Sequence, residues 1–429
     1  MMKKNWEIKK QNLEGRTPST CEAGVSPLQT TPLPQHALKA GWEIKKLSDV
    51  CDVRDGTHDS PKFYDKGYPL VTSKNLKNGK IEMTNLKYIS KEDYEKINER
   101  SKVDINDILF AMIGTIGNPV LVTEEPDYAI KNMALIKDTG SIFPNYLLFY
   151  LSSNCALDKM LHDSNGTTQR FVSLGYLRNF EIPVPPLEEQ KRIVKILDEK
   201  FAQLETIKTN AQTNLQNAKD LFQSQLTKAF NNTTWEKAKL EDIALDFSRG
   251  KSKHRPRNDK CLFGGNYPFI QTGDIRNADK YVTDYSETYN ETGLTQSKLW
   301  PEGTLCITIA ANIAETAILS FPCCFPDSVI GFIPNEKRTT VDFVYYLIQF
   351  FKSELQKLSK GAAQDNLNLA KFENMNFPLP PLSEQKRIVK ELDTLSEKTK
   401  ALQNIYEQML LDCEELKQSV LAKAFEGNL

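Results

Sequence analysis

Between Arg249 and Lys260 the chain places six basic side chains, Arg249, Lys251, Lys253, Arg255, Arg257 and Lys260, against the single acidic Asp259. Such a run can neutralise phosphate oxygens along a nucleic-acid backbone, and it can equally be a solvated loop. The whole chain adds no electrostatic pull of its own. Its 55 basic and 56 acidic residues leave a formal charge of −1, so any polyanion must be held by local patches. Groupings that would break or make bonds fail one by one. Gly250-Lys251-Ser252 ends like a phosphate-binding loop, but Leu245 stands where the opening glycine belongs. No Asn-Pro-Pro-aromatic motif of an amino-methyltransferase occurs, and Pro326-Asp327 is followed by Glu336-Lys337 without a nuclease's spacer residue. His36, His58, His162 and His254 lie in different segments without metal-ligand spacing. The eight cysteines contain no Cys-x-x-Cys pair and read as reduced structural thiols. Catalysis is not expected.

The elements that must carry these residues show themselves by repetition. Pro183-Val-Pro-Pro-Leu-Glu-Glu-Gln-Lys-Arg-Ile-Val-Lys-Ile-Leu-Asp198 recurs 195 positions later as Pro378-Leu-Pro-Pro-Leu-Ser-Glu-Gln-Lys-Arg-Ile-Val-Lys-Glu-Leu-Asp393. Leu221–Phe230 returns as Leu416–Phe425 at the same displacement, so the segment between was copied without insertion. Upstream the match loosens. Trp42–Leu47 answers Trp235–Leu240, Tyr68-Pro69 answers Tyr267-Pro268, and Gly166–Gln169 answers Gly361–Gln364, with loops of unequal length between them. The organisation predicted is an N-terminal extension 1–41, a globular domain 42–182, a helical segment 183–234, a second globular domain 235–377 and a second helical segment 378–429. The extension is rich in Pro, Thr, Ser and Gln and is expected to be poorly ordered, although its Trp6–Lys10 repeats Trp42–Lys46.

Each helical segment opens with Pro-x-Pro-Pro, which suits an extended entry into the first turn of a helix. Apolar or small residues then follow in 4-3 alternation: Ile193, Leu197, Phe201, Leu204, Ile207, Ala211, Leu215, Ala218 and Phe222 in the first copy. The second has Ile388, Leu392, Leu395, Thr399, Leu402, Tyr406, Met409, Cys413, Leu416 and Val420. Helices of this length outrun one domain, so each seam is expected to find its partner in the other copy, antiparallel and under approximate two-fold symmetry. The segments between read as mixed α/β. Asp107–Thr115, Pro119–Thr123, Gly303–Ala311 and Ala317–Ser320 are strand-like, and Phe143–Ser153 and Val341–Leu358 are helical. The fold class predicted is α+β: two globular α/β domains joined and separated by two long antiparallel coiled-coil helices, an internal repeat with pseudo-two-fold symmetry. No stretch approaches the length of apolar chain that crosses a membrane, no secretory signal is evident, and a cytoplasmic location is expected.

Pro-x-Pro-Pro-Leu-x-Glu-Gln-x-x-Ile before a long helix, present twice and each time after a Gly-x-x-Gln segment, resembles the specificity subunits of Type I restriction–modification enzymes. Gly56–Pro61 leading to Tyr68–Leu76, and Gly265–Asp274 in the second half, support the likeness, which covers about residues 42–429. The resemblance implies a non-catalytic subunit whose two target-recognition domains each read one half of a bipartite double-stranded DNA site, with the helices setting the gap. It implies docking of two modification subunits, which bring S-adenosylmethionine and adenine methylation. It also implies a restriction subunit bringing ATP- and Mg-dependent translocation and cleavage. This chain itself would hold no cofactor or metal.

On that reading the nominated contacts are polar groups on Gly/Pro-rich loops: Arg54, Thr57, His58, Ser60, Lys62, Ser73, Lys74 and Asn75, with Thr168, Gln169 and Arg170. In the second domain they are Arg249, Lys251, Ser252, Lys253, Arg255, Arg257, Lys260, Gln271, Thr272, Asp274, Arg276, Gln364, Asp365 and Asn366. Arg, Gln and Asn can make bidentate contacts to base edges, while the same residue types also build turns and caps. Lys191, Arg192, Lys386 and Arg387 could touch phosphates or simply face solvent. The competing reading is a coiled-coil scaffold whose paired heads bind protein ligands, and a fused methyltransferase or nuclease comes third.

Overall fold

The computed structural model describes residues 39–163, 171–310, 312–357 and 372–429. The chain divides into two compact units, Met1–Lys208 with Leu411–Leu429, and Thr209–Leu410. No described helix is long and apolar enough to cross a membrane.

In the first unit β1 (Glu43–Lys46) pairs antiparallel with β11 (Glu181–Val184). Pro183 can sit in this ladder because a two-stranded sheet has only edges. The central sheet takes β2 (Cys51–Asp55), β7 (Ile108–Ala111), β8 (Gly117–Leu121) and β10 (Ala134–Asp138) in the order β2-β10-β7-β8, all antiparallel. A smaller sheet takes β3 (Tyr68–Thr72), β6 (Lys87–Ile89) and β9 (Ala129–Lys131), with β3 and β9 parallel. The short hairpin β4 (Leu76–Lys77) and β5 (Lys80–Ile81) follows β3. The apolar run of β7 is continuous because both faces of the strand are covered. Ile108 and Phe110 join a core with the long helices, and Leu109 and Ala111 join one under the smaller sheet.

The second unit repeats the plan. Strands β12 (Glu236–Ala238) and β20 (Phe377–Leu379) pair antiparallel. Strands β13 (Ala244–Arg249), β15 (Tyr281–Val282), β17 (Leu305–Thr308), β18 (Thr316–Leu319) and β19 (Val329–Pro334) form a sheet ordered β13-β19-β17-β18-β15. Strands β14 (Phe263–Phe269) and β16 (Glu287–Tyr289) pair beside it. Leu305 and Ile307 again face one core while Cys306 faces the other.

The two repeated segments are single helices, Leu187–Phe230 and Leu382–Phe425, each of 44 residues and so about 66 Å long. Among the described residues, helices α1 (Leu47–Val50), α2 (Lys91–Ser101), α3 (Pro144–Leu151), α4 (Asn154–His162) and α5 (Leu174–Arg178) precede the first long helix, α6. Helices α7 (Thr272–Asn277), α8 (Glu291–Thr295) and α9 (Val341–Lys357) precede the second, α10. In the first unit Ile193 and Leu197, near the start of α6, share a core with Leu421 and Phe425, near the end of α10. In the second, Leu226 and Phe230 share a core with Ile388 and Leu392. Start meets end both times, as an antiparallel pair requires.

The expected heptad seam fails in part at mid-helix. Ile207, Leu402, Met409 and Leu416 are exposed, whereas Ala211, Ala218, Thr399 and Cys413 are buried. On α10 the covered row runs through Ile388, Leu392, Leu395, Thr399, Gln403, Tyr406, Leu410, Cys413, Lys417, Leu421 and Ala424. That spacing averages about 3.6 residues, the period of a straight helix, so a strict heptad drifts off the covered face.

The glutamine repeated in each helix start has a structural task. Gln190 donates to the Pro185 carbonyl at 2.8 Å and accepts from the Phe143 amide at 2.8 Å. Gln385, fully buried, donates to Pro380 and Arg338 carbonyls and accepts from the Thr339 hydroxyl and the Thr340 amide. It ties the helix entry to the entry of α9. Gln385→Ala therefore strands several buried polar groups at once and is expected to destabilise the second unit by about 3 kcal/mol. Urea unfolding would check this, a change below about 1 kcal/mol counting against it.

Candidate nucleic-acid interface

In both units the nominated residues among those described cluster at the same two strand ends. The first exit leaves β2 in one unit and β13 in the other, and it turns on a glycine whose place no larger residue can take. A Cβ at Gly56 would run into the Ile130 backbone, and one at Gly250 into the Phe325 and Pro326 backbone. The second exit leaves β3 and β14. Thr72 with Asn75 caps a short 3-10 turn after β3, and Gln271 with Asp274 does the same for α7 after β14.

The first unit gathers Arg54, Thr57, His58 and Ser60 around the end of β9. Thr57 bridges to Lys131, which also lies opposite Thr72 of β3. His58 sits between Asn132, with Nδ1 3.1 Å from Oδ1, and Asp55, with Nε2 2.8 Å from Oδ2. Arg100 takes the other Asp55 oxygen, and its carbonyl accepts from Arg54 at 3.1 Å. Lys131 Nζ donates to Ser60 Oγ at 2.8 Å. Lys62 lies over the Tyr64 ring, and Lys87 lies 4.2 Å from the centre of the exposed Phe63 ring. The reasoning from sequence missed Lys131, Asn132 and Arg100. Asn132 adopts φ 55°, and Asn is the non-glycine residue that best tolerates such a turn, so Lys131-Asn132 carried a usable signal.

Some nominees are already occupied. Asn75 accepts from the Thr72 amide and hydroxyl and donates to the Glu82 carbonyl. Asp274 accepts from the Gln271 amide at 2.7 Å. Both do the capping work that residues of their type also favour. Lys74 is exposed and Ser73 half-buried beside Asn75.

In the second unit the basic run is a shaped loop. Gln296 Oε1 accepts from the amides of Lys253 and His254 at 2.7 and 3.1 Å, and Ser297 Oγ donates to the Lys251 carbonyl at 3.0 Å. Ser252 is buried, so it supports the loop from within. Arg255 donates to the Ser252 and His254 carbonyls, and Arg257 pairs with Asp327 at 2.7 Å. Arg249, Lys251, Lys253 and Lys260 are exposed and make no ion pair with any described residue. Gln271 donates to Glu287 at 3.0 Å, while Thr272 and Arg276 lie on α7. The structure also brings together His254, Asp259 and Cys261, whose donor atoms all lie within 4.8 Å of one another, a grouping the sequence spacing did not suggest. The Cys261 amide and His254 hold the Asp259 carboxyl down to about 2.

Thr168, Gln169, Arg170, Gln364, Asp365 and Asn366 lie outside the described residues. At the helix starts Arg192 is paired with Glu189, Arg387 with Glu384 and Glu391, and Lys191 with Glu188.

Residues 39–215 and 232–410 match the model of the Type I restriction modification DNA specificity domain, two copies in one chain. The chain is 23% identical over 427 residues to the Type I restriction enzyme StySPI specificity subunit of Salmonella potsdam, covering 91% of this chain and 90% of that one. It is 24% identical over 415 residues to the MjaVIII specificity subunit of Methanocaldococcus jannaschii, covering 90% and 92%. Its fold matches a chain from a structure addressing complex assembly and conformational transition of the type I R-M system, with TM-score 0.76, 21% identity, and coverage of 92% and 100%. It also matches the HsdS subunit of Thermoanaerobacter tengcongensis, with TM-score 0.58, 22% identity, and coverage of 93% and 100%. The duplicated domain, found across most of the chain and on the same fold, places this protein in the Type I restriction–modification DNA specificity family, the recognition subunits and not the catalysts of their enzymes.

Proposed function

We propose that the chain is the DNA-reading subunit of a Type I restriction–modification complex, each unit reading one half of a split double-stranded target. The observation that carries this is the duplicated pair of strand exits. Each unit offers one long polar loop and one capped turn, at Gly56 and Ser73 in the first and at Gly250 and Thr272 in the second. Polar and cationic side chains there can reach base edges and phosphates, while the helices hold the two readers at one separation, as dimer geometry fixes half-site spacing.

Two modification subunits dock on the helices in this reading. Exposed apolar side chains recur at equivalent repeat positions, Ile207 with Leu402 and Leu221 with Leu416, a surface that suits the same partner taken twice. Methyl transfer with S-adenosylmethionine, and ATP- and Mg-dependent translocation and cleavage by a restriction subunit, belong to those partners in the cytoplasm.

Methylome sequencing of a host carrying this chain with its modification subunit, against one lacking the chain, tests the reading. Adenine methylation is expected at a split motif with a fixed gap, and replacing residues 235–377 by those of another family member is expected to change one half only. An assembled complex that methylates no motif would leave the protein-binding scaffold as the better account.

A further inference from the structure

We propose that His254, Asp259 and Cys261 form a binding site for one divalent ion of the zinc class, which ties the two arms of the basic loop together. The donor set fits such an ion. Imidazole nitrogen, carboxylate oxygen and thiolate sulfur are its common protein ligands, and three of them leave a fourth tetrahedral position to water. His254 Nε2 stands 3.0 Å from Asp259 Oδ2. All three donors fall within 4.8 Å. A tetrahedral shell needs neighbouring ligands about 3.3–3.7 Å apart, so small side-chain rotations suffice.

The convergence does not depend on the trio holding itself together. The arm bearing His254 is pinned by Gln296, which accepts from the Lys253 and His254 amides. The arm bearing Cys261 is pinned separately by Asn290, whose side-chain amide donates to the Cys261 carbonyl at 2.9 Å and whose backbone amide donates to Leu262. Asp259 keeps Oδ1 on the Cys261 amide at 3.0 Å, which leaves Oδ2 to turn towards an ion. Cys261 is exposed, so an ion can reach it.

The first unit shows what excludes a cation from a similar pair. There His58 also meets an aspartate, Asp55, but the Arg100 guanidinium occupies the second carboxylate oxygen and supplies the positive charge. In the second unit no arginine or lysine is paired with Asp259 among the described residues, and a thiol stands in that place. Binding converts the Cys261 thiol to a metal-bound thiolate and releases its proton to solvent. The bound ion would hold the loop that carries Arg249, Lys251 and Lys253 in one shape. That consequence, unlike the site, rests on the DNA-reading function proposed above.

Cobalt(II) added to the full chain after chelator treatment tests the site without DNA. One equivalent per chain is expected to give a thiolate-to-cobalt absorption band that zinc(II) abolishes by displacement. The band is expected to vanish in His254→Ala and Cys261→Ser and to persist in Cys155→Ser. Asp259→Asn, which retains an acceptor for the Cys261 amide, is expected to weaken binding at least tenfold. Circular dichroism of each variant in chelator checks that the fold is kept. Zinc is also expected to slow trypsin at Lys253, Arg257 and Lys260 in the parent but not in Cys261→Ser. No cobalt band, or a band that survives Cys261→Ser, would overturn the site while leaving DNA reading untouched. A normal band in a complex that methylates no split motif would overturn the reading and leave the site.

Discussion

Replacing Arg249, Lys251, Lys253 and Lys260 together by alanine is expected to weaken DNA binding by the assembled complex about a thousandfold near physiological salt, and to do so for any sequence. These four are exposed and make no ion pair with described residues, so each is available to a phosphate. Each phosphate contact contributes about 0.9 to the slope of log affinity against log salt, so the slope should fall by about 3.6. At about 0.15 M salt that slope is worth roughly three decades. Arg257 is left out because Asp327 already pairs with it at 2.7 Å. Filter binding or fluorescence anisotropy over a salt series would read both numbers. An unchanged slope would mean that the loop faces away from the backbone. A smaller slope change with altered half-site preference would assign the loop to base edges instead.

The second large effect concerns the joint between helix and domain. Phe425 is buried with its ring edge-on to Tyr146 and Tyr150, at centroid distances of 5.5 and 5.1 Å. Its repeat counterpart Phe230 packs on Phe343 and Phe350 at 5.5 and 5.4 Å. Truncating a buried phenylalanine to alanine costs about 3–5 kcal/mol. Phe425→Ala should therefore destabilise the first unit, and Phe230→Ala the second. Calorimetry of the two variants would show which transition each one lowers. A variant that lowers both transitions equally would mean that the two units unfold as one. Either result bears on the proposed DNA reading, because each unit stands on a core that the long helices complete.

How much of this could be read from the chain alone depends on what each signal was made of. The repeat, the two long helices and the mixed strand–helix domains were legible because a copied segment and a continuous apolar run survive tertiary packing. Ile108–Ala111 and Leu305–Thr308 could hardly be anything but strands buried on both faces. The heptad was less secure. A list of apolar positions does not reveal whether a helix supercoils: Thr399 and Cys413 lie on the covered face as expected, but Leu402 and Met409 were assigned there too and are exposed, while Gln403 and Leu410 take the covered row in their stead. At the candidate interface sequence reasoning found the loops but could not separate contact from support. Asn75, Asp274 and Ser252 had the right chemistry and are spent on turns and interior packing. Lys131 and Arg100 were overlooked because they come from a strand and a helix distant in sequence: strand register sets Lys131 against Thr57, and an ion pair to Asp55 brings Arg100 to the site. The convergence of His254 with Cys261 was likewise hidden by a spacing that fits no familiar metal motif.

The first unit is assembled from two segments far apart in sequence, Met1–Lys208 and Leu411–Leu429. This has a consequence for how the protein is made. On a ribosome the segment that begins this unit emerges early but cannot close its core until Leu421, Ala424 and Phe425 have been translated. At about 5–20 residues per second, the nascent domain waits roughly 10–40 s with its apolar face open. The second unit is contiguous and can finish first, so the domain translated last is the first to mature. Losing Leu421, Ala424 and Phe425 would therefore damage the domain whose core begins at Trp42 and Leu47, far earlier in the chain.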